Sequence, residues 1–181
     1  IYGYPFVPKK LQLELESAKD YKEQTGECLF CRMRDEELAD GRRIIFENEH
    51  FTVFLTFFTE YPYGMYILSK RHVATIAQLT KEEKSSLANA VKETAGTLDS
   101  LFDYPFPYMM CMHNAPVNSA PVGESYHFHI EFFPPMRSAD KVKFNASSET
   151  GCWAHCNPTC PEQTAQELRE AYARYCATLE K

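Results

Sequence analysis

Apolar positions along this chain switch between two rhythms. Arg43–Glu47, Phe51–Phe58 and Met65–Ser69 crowd Ile, Phe, Val and Thr between turn residues, as strands do. Asp40-Gly41 marks the turn before the first, Tyr61-Pro62-Tyr63-Gly64 breaks the second, and Lys70-Arg71-His72 closes the third. The rhythm then lengthens. Thr80-Lys81-Glu82-Glu83 has the form of a capping box, and Leu87, Val91, Ala95, Leu98 and Phe102 follow at helical spacing, which predicts a helix over Lys81–Leu101. Tyr108–Met112 predicts a buried strand, followed by a loop with Pro116, Pro121 and Gly123. At the two ends, Lys9–Gln24 and Glu162–Leu179, the latter opened by Pro161, predict helices. Gly26 leads into Cys28-Leu29-Phe30-Cys31, which predicts a turn.

Tyr126-His127-Phe128-His129-Ile130-Glu131-Phe132 alternates strictly. As a strand, it sends Tyr126, Phe128, Ile130 and Phe132 to one face, into a core. His127, His129 and Glu131 share the other face, with neighbours about 6–7 Å apart. Pro134-Pro135 ends the run. Three polar, proton-exchanging side chains in a row over an apolar sheet are either an ordinary satisfied strand face or the floor of a site.

The 181 residues fit one domain, and 44% hydrophobic residues supply a core. Aromatics at 14% suit a sheet with a packed face. No apolar run reaches the length of a membrane span, and Ile1–Pro8 lacks the shape of a secretory signal. The absence of an initiating Met predicts a fragment of a longer protein. A net charge of −6 argues against a general nucleic-acid binder, which needs a basic surface against phosphates. Seven Cys, an odd number, cannot all pair within the chain. Free thiols or metal ligands in a reducing cytoplasm are the expectation.

Cys28-x-x-Cys31 is a two-thiolate clip of the kind that suits zinc, which wants four ligands in a tetrahedron. His72, at a strand end, and His127 are the natural remaining donors. The alternative is a pair of buried thiols beside two ordinary histidines. Cys152, Cys156 and Cys160 repeat at gaps that match no common zinc-finger spacing, and read as incidental thiols.

The run His127–Phe133 resembles the histidine-triad motif, with Glu131 in place of the third His. Further segments extend the likeness. Ile1-Tyr2-Gly3-Tyr4, Lys70-Arg71-His72-Val73, Met112-His113-Asn114-Ala115-Pro116, Phe132–Ser138 and Lys143-Phe144 occur in the order found in the galactose-1-phosphate uridylyltransferase family, over nearly the whole chain. What the resemblance implies is an α+β fold: a histidine-triad-like antiparallel sheet with flanking helices, the second half of a duplicated two-half enzyme. Residues 1–27 would be a helical linker from the preceding half and 28–181 the domain.

The resemblance further implies nucleotidyl transfer in galactose metabolism, between UDP-glucose or UDP-galactose and a hexose 1-phosphate, through a covalent histidine intermediate. That histidine belongs to an H-P-H-G-Q run expected just before Ile1, so the chain alone is expected to be inactive, with His129 in the degenerate equivalent place. Zn²⁺ is implied at Cys28, Cys31, His72 and His127. A second Zn²⁺ or Fe is implied at Glu14, His113, His129 and Glu131. Lys143, Phe144 and Glu149 match sugar-contacting positions. The implied partners are the N-terminal half and a second copy in a homodimer, with neither nucleic acid nor membrane. Two alternatives stand beside this: a self-sufficient histidine-triad hydrolase or transferase using His129, and a non-catalytic zinc-stabilised domain. Whether uridylyl or adenylyl is transferred is left open.

Overall fold

The structure is a computed structural model and describes residues 3–179. Helix α1 spans Lys9–Thr25 and stops at Gly26, whose φ of 80° lets its N–H reach back to the Lys22 carbonyl. The Cys-x-x-Cys segment is not the expected turn. Cys28 is the extended N-cap of a helix, α2 (Leu29–Asp40), which ends at Gly41 in the same left-handed conformation. Arg32–Ala39 holds neither Gly nor Pro and is rich in helix formers. Its few apolar residues give too faint a period to reveal it from the pattern alone.

Five strands, β1 (Ile44–Glu47), β2 (Phe51–Leu55), β3 (Met65–Ser69), β4 (Met109–His113) and β5 (His129–Phe133), form an antiparallel sheet in the order β1-β2-β3-β5-β4. Between β3 and β4 runs α3 (Lys81–Asp99), started by the anticipated capping box at Thr80 and Glu83. A small ladder of β6 (Met136–Ser138) with β7 (Lys141–Val142), the short α4 (Ser147–Cys152) and the last helix α5 (Pro161–Leu179) complete the fold. The α+β class is as expected. β6, β7 and α4 carried no periodic signal.

Both faces of the sheet are covered, which is why all of β2 is buried. Phe51, Val53, Leu55, Met65, Ile67, Ile130 and Phe132 pack against Leu87 and Leu98 of α3 and Ala165 and Leu168 of α5. On the other face Phe54 and Leu68 meet Ala18 of α1, Phe30 of α2 and Tyr126. Each such large side chain contributes roughly 1.5–3 kcal/mol on burial. This second layer carries the candidate sites.

Three strand expectations need correction. β2 stops at Leu55, because Glu37 of α2 accepts from the Phe57 N–H and turns the chain, leaving Phe57 and Phe58 exposed. β4 is not buried: it is an edge strand, with Met109, Met110, Cys111 and Met112 exposed and only His113 buried. β5 starts at His129 rather than Tyr126. Residues 126–128 precede the ladder, so Tyr126 does not share the face of Phe128, Ile130 and Phe132 but joins the α1–α2 layer.

Candidate metal centres

Cys28 at the N-cap and Cys31 in the first turn of α2 stand one helical turn apart, so both sulfurs leave the helix on the same side. His72 follows β3, and His127 precedes β5. One donor atom from each of these four residues lies within 4.8 Å of every other. The Cys31 sulfur is 3.4 Å from His72 Nδ1 and 3.3 Å from His127 Nδ1. Sulfur and nitrogen ligands of a tetrahedral zinc stand about 3.6 Å apart, so a slight expansion would accommodate the ion.

The hydrogen bonds on the far side of each ring fix its tautomer. His72 Nε2 is 2.7 Å from the Gly123 carbonyl, which only accepts, so Nε2 carries the proton. Ser69 Oγ donates to the Arg71 carbonyl and is 2.8 Å from His127 Nε2, so it must accept from that nitrogen. Both Nδ1 atoms therefore present lone pairs to the same sulfur. One thiol proton cannot satisfy both, whereas a cation can. Cys28 is held down to about 3, chiefly by the hydrogen bond from Cys31 and against burial. Cys31, as the donor of that bond, is pushed up.

A second group forms where α1 crosses the sheet beside β4 and β5. Glu14, His113, His129 and Glu131 again offer donors within 4.8 Å of one another. His113 and His129 are directly opposed across the β4–β5 ladder. His113 Nδ1 lies 3.1 Å from Glu14, and His113 Nε2 lies 3.8 Å from Glu131. Burial opposes charge on His113, yet its bonds to Cys111 and Glu14 and the charge of Glu131 lift it to about 10. Burial likewise opposes charge on Glu131, but His129 and His113 hold it down to about 2. Glu14 is also lowered, its burial outweighed by His113 and His129.

His129 is fully buried between Phe30, at 4.6 Å, and Tyr66, stacked at 5.6 Å. Its Nδ1 donates to the His127 carbonyl at 2.9 Å, which leaves the buried Nε2 with no hydrogen-bond partner. That nitrogen faces Glu131 Oε1 at 3.4 Å and Glu14 Oε1 at 3.9 Å. Two carboxylates and two imidazoles crowd around an orphaned buried nitrogen, a donor set that fits a cation.

Sequence reasoning missed the residues that brace these groups. Tyr66 donates to Glu131 at 2.7 Å, and Tyr126 donates to Glu14. Tyr66 lies opposite Glu131 in the β3–β5 register, a signal available only once the pairing is known. Lys143 and Glu149 do not join either cluster. They are buried and paired with each other at 2.9 Å, with Lys143 Nζ over the Tyr61 ring, while Phe144 is 80% exposed. Tyr61 also lines a cavity of about 580 Å³ between α1, α2 and the sheet, which Glu14 and Glu131 border as well. Cys152, Cys156 and Cys160 are exposed and outside both clusters. Ile1 and Tyr2, part of the quoted resemblance, lie outside the described residues.

A five-stranded antiparallel sheet carrying histidines at the start of an inner strand is a histidine-triad-like fold. In fold alone, the chain is similar to a zinc-bound histidine-triad family protein from Mycobacterium smegmatis (TM-score 0.56, 18% identity, covering 83% of this chain and 96% of that one). The likeness narrows sharply from there. A family model described as galactose-1-phosphate uridyl transferase, C-terminal domain, matches residues 14–176, and the chain belongs to that family. It is 41% identical to a galactose-1-phosphate uridylyltransferase of Thermotoga maritima over 94% of this chain and 53% of that protein. It superposes on a uridylyltransferase mutant with a TM-score of 0.88 at 32% identity, covering 96% of this chain and 56% of that one. The chain thus spans about half the length of the relatives it matches. No helix among the described residues is long and apolar enough to cross a membrane.

Proposed function

We propose that the chain is the C-terminal half of a UDP-glucose–hexose-1-phosphate uridylyltransferase, holding two metal ions while the nucleophile comes from the preceding half. The observation that carries this division of labour is the state of His129. A histidine that attacks phosphorus needs an accessible nitrogen. His129 is wholly buried, one nitrogen tied to a backbone carbonyl and the other enclosed by two carboxylates. That arrangement suits a ligand and argues against a self-sufficient histidine-triad enzyme.

In this reading Cys28, Cys31, His72 and His127 hold Zn²⁺, and Glu14, His113, His129 and Glu131 hold a second Zn²⁺ or Fe. Two thiolates with two imidazoles form a closed tetrahedral set, so the first ion supplies cross-linking rather than catalysis. The mixed carboxylate–imidazole set suits either metal at the second position. Residues 1–27 connect to the preceding half, with α1 lending Glu14. The buried Lys143–Glu149 pair shapes the sugar side, together with Phe144, whose exposure leaves it free to meet a hexose. The working enzyme is a cytoplasmic homodimer.

The decisive experiment compares the full-length protein with the isolated chain. Only the longer protein is expected to convert UDP-glucose and galactose 1-phosphate, and Cys28→Ser is expected to remove one zinc per chain by elemental analysis. Turnover by the isolated chain would overturn the assignment of catalysis to the other half. Unchanged zinc in Cys28→Ser would overturn the four-ligand centre.

A further inference from the structure

The two clusters are joined by one short segment, Val122–Phe128. On the thiolate side, the Gly123 carbonyl accepts from His72 Nε2 at 2.7 Å. The Ser125 carbonyl lies 3.6 Å from Cys28 Sγ. His127 supplies its own ring, with Nδ1 at 3.3 Å from Cys31. On the carboxylate side, the Tyr126 hydroxyl donates to Glu14. The His127 carbonyl accepts from His129 Nδ1 at 2.9 Å and so aims Nε2 into the second cluster. Gly123 and Ser125 thus serve the thiolate centre, Tyr126 serves the carboxylate centre, and His127 serves both, one with its side chain and one with its backbone.

This segment is not fixed by the sheet. β5 begins only at His129. Before it, the backbone is held by a turn, with Ser125 and Tyr126 N–H bonded to the Val122 carbonyl, and by one bond from Phe128 N–H to Val73. The preceding loop, from Pro116 to Glu124, is largely exposed. A segment with so few backbone bonds of its own gains definition from whatever its side chains and carbonyls grip. An ion at the thiolate centre immobilises His72 and His127, and with them Gly123 and the His127 carbonyl. The carboxylate centre then receives His129 and Glu14 already aimed, and its ion has less ordering to impose.

We propose that Val122–His127 couples the two metal centres, so that loading either one raises the affinity of the other. The inference rests on the two-metal reading above. Coupling between sites is reciprocal in binding free energy, so the two enhancements must be equal, and such couplings typically amount to about 5–150-fold.

The test uses full-length, metal-free protein and Co²⁺ as the probe. Thiolate-to-cobalt absorption reports the first centre, and calorimetry of the remaining uptake reports the second. Disabling the carboxylate centre with Glu131→Gln is expected to weaken Co²⁺ binding at the thiolate centre about 5-fold or more. Disabling the thiolate centre with Cys31→Ala is expected to weaken the carboxylate centre by the same factor. Tyr126→Phe keeps all eight ligand side chains and cuts one link, so in that background the factor is expected to shrink. Two ions bound with affinities that do not depend on each other would overturn the coupling and leave the two-metal reading intact. Uptake of only one ion, or of none, by the unmodified protein would overturn both.

Discussion

Ser69 shows how much one hydroxyl decides. Its proton goes to the Arg71 carbonyl, so its lone pair must face His127 Nε2–H, and the ring is left with a free Nδ1 on the cluster side. Residues that orient a metal-binding histidine in this way usually change affinity by about 10–100-fold when removed. Ser69→Ala is therefore expected to weaken zinc binding by that range in competition against a chelator, while Ser69→Thr, which keeps the hydroxyl, largely restores it. Equal affinities for wild type and Ser69→Ala would mean that the ring is oriented by packing alone. Glu83 makes a comparable case at a helix start. It accepts from the Thr80 N–H and forms a bidentate pair with Arg71. The Arg71 hydrogen bond, followed by that of Thr80, depresses it from 4.5 to about 2. A depressed carboxylate stabilises the fold above its unfolded pKa and loses that contribution as pH falls through its folded one. Glu83→Gln is accordingly expected to cost about 1 kcal/mol at neutral pH. The gap to wild type should close between pH 4.5 and pH 2 in denaturant titrations. A gap that stays constant with pH would assign the cost to packing instead.

Helices α3 and α5 pack over one face of the sheet, and Gly96 of α3 lies against the Tyr175 ring of α5. A Cβ built there would run into the ring of Tyr175. In an exposed helix interior Gly→Ala would be worth up to about 1 kcal/mol of stabilisation. Here the overpacking, about 1–3 kcal/mol, is expected to win. Gly96→Ala should lower the unfolding midpoint, and Gly96→Ala combined with Tyr175→Ala should suffer less than the sum of the two changes. Strict additivity would show that the helices do not touch through this pair. On the opposite face, α1 and α2 bring Glu14 and the two thiols to β5 and β3 from outside the sheet. The clusters are therefore products of how helices lie on strands, and neither could form within one element.

Across the whole molecule, the conspicuous unsatisfied feature is β4. It lies at the end of the sheet, with nothing paired on its outer side among the described residues, and it exposes Met109, Met110 and Met112. An edge of this kind invites another strand. The isolated chain is expected to self-associate in a concentration-dependent way in sedimentation experiments. Met110→Lys, which places a charge on that edge, is expected to return it to a monomer. If Met110→Lys leaves the association unchanged, the contact lies elsewhere. The relatives are about twice the length of this chain, and under the proposed function the preceding half is the natural cover for that strand.

Local sequence sufficed wherever the deciding physics was local. The capping box at Thr80, the period of α3, the turn-bounded strands β1 and β3 and the strong alternation from Phe128 to Phe132 depend on neighbours a few residues away, and the structure has them. The chemical types in the Cys-x-x-Cys and His-x-His-x-Glu runs were equally visible, as was the family those runs resemble. Long-range geometry settled the rest. The start of α2, the early end of β2, the late start of β5 and the exposure of β4 follow from which surfaces meet, because a residue's burial is a property of its partners rather than of its type. The same is true of the sites. Cys31 and His127 are 96 residues apart and Glu14 and His113 are 99 apart. Only the folded layers bring such distant donors to one point, fix their tautomers and leave His129 enclosed.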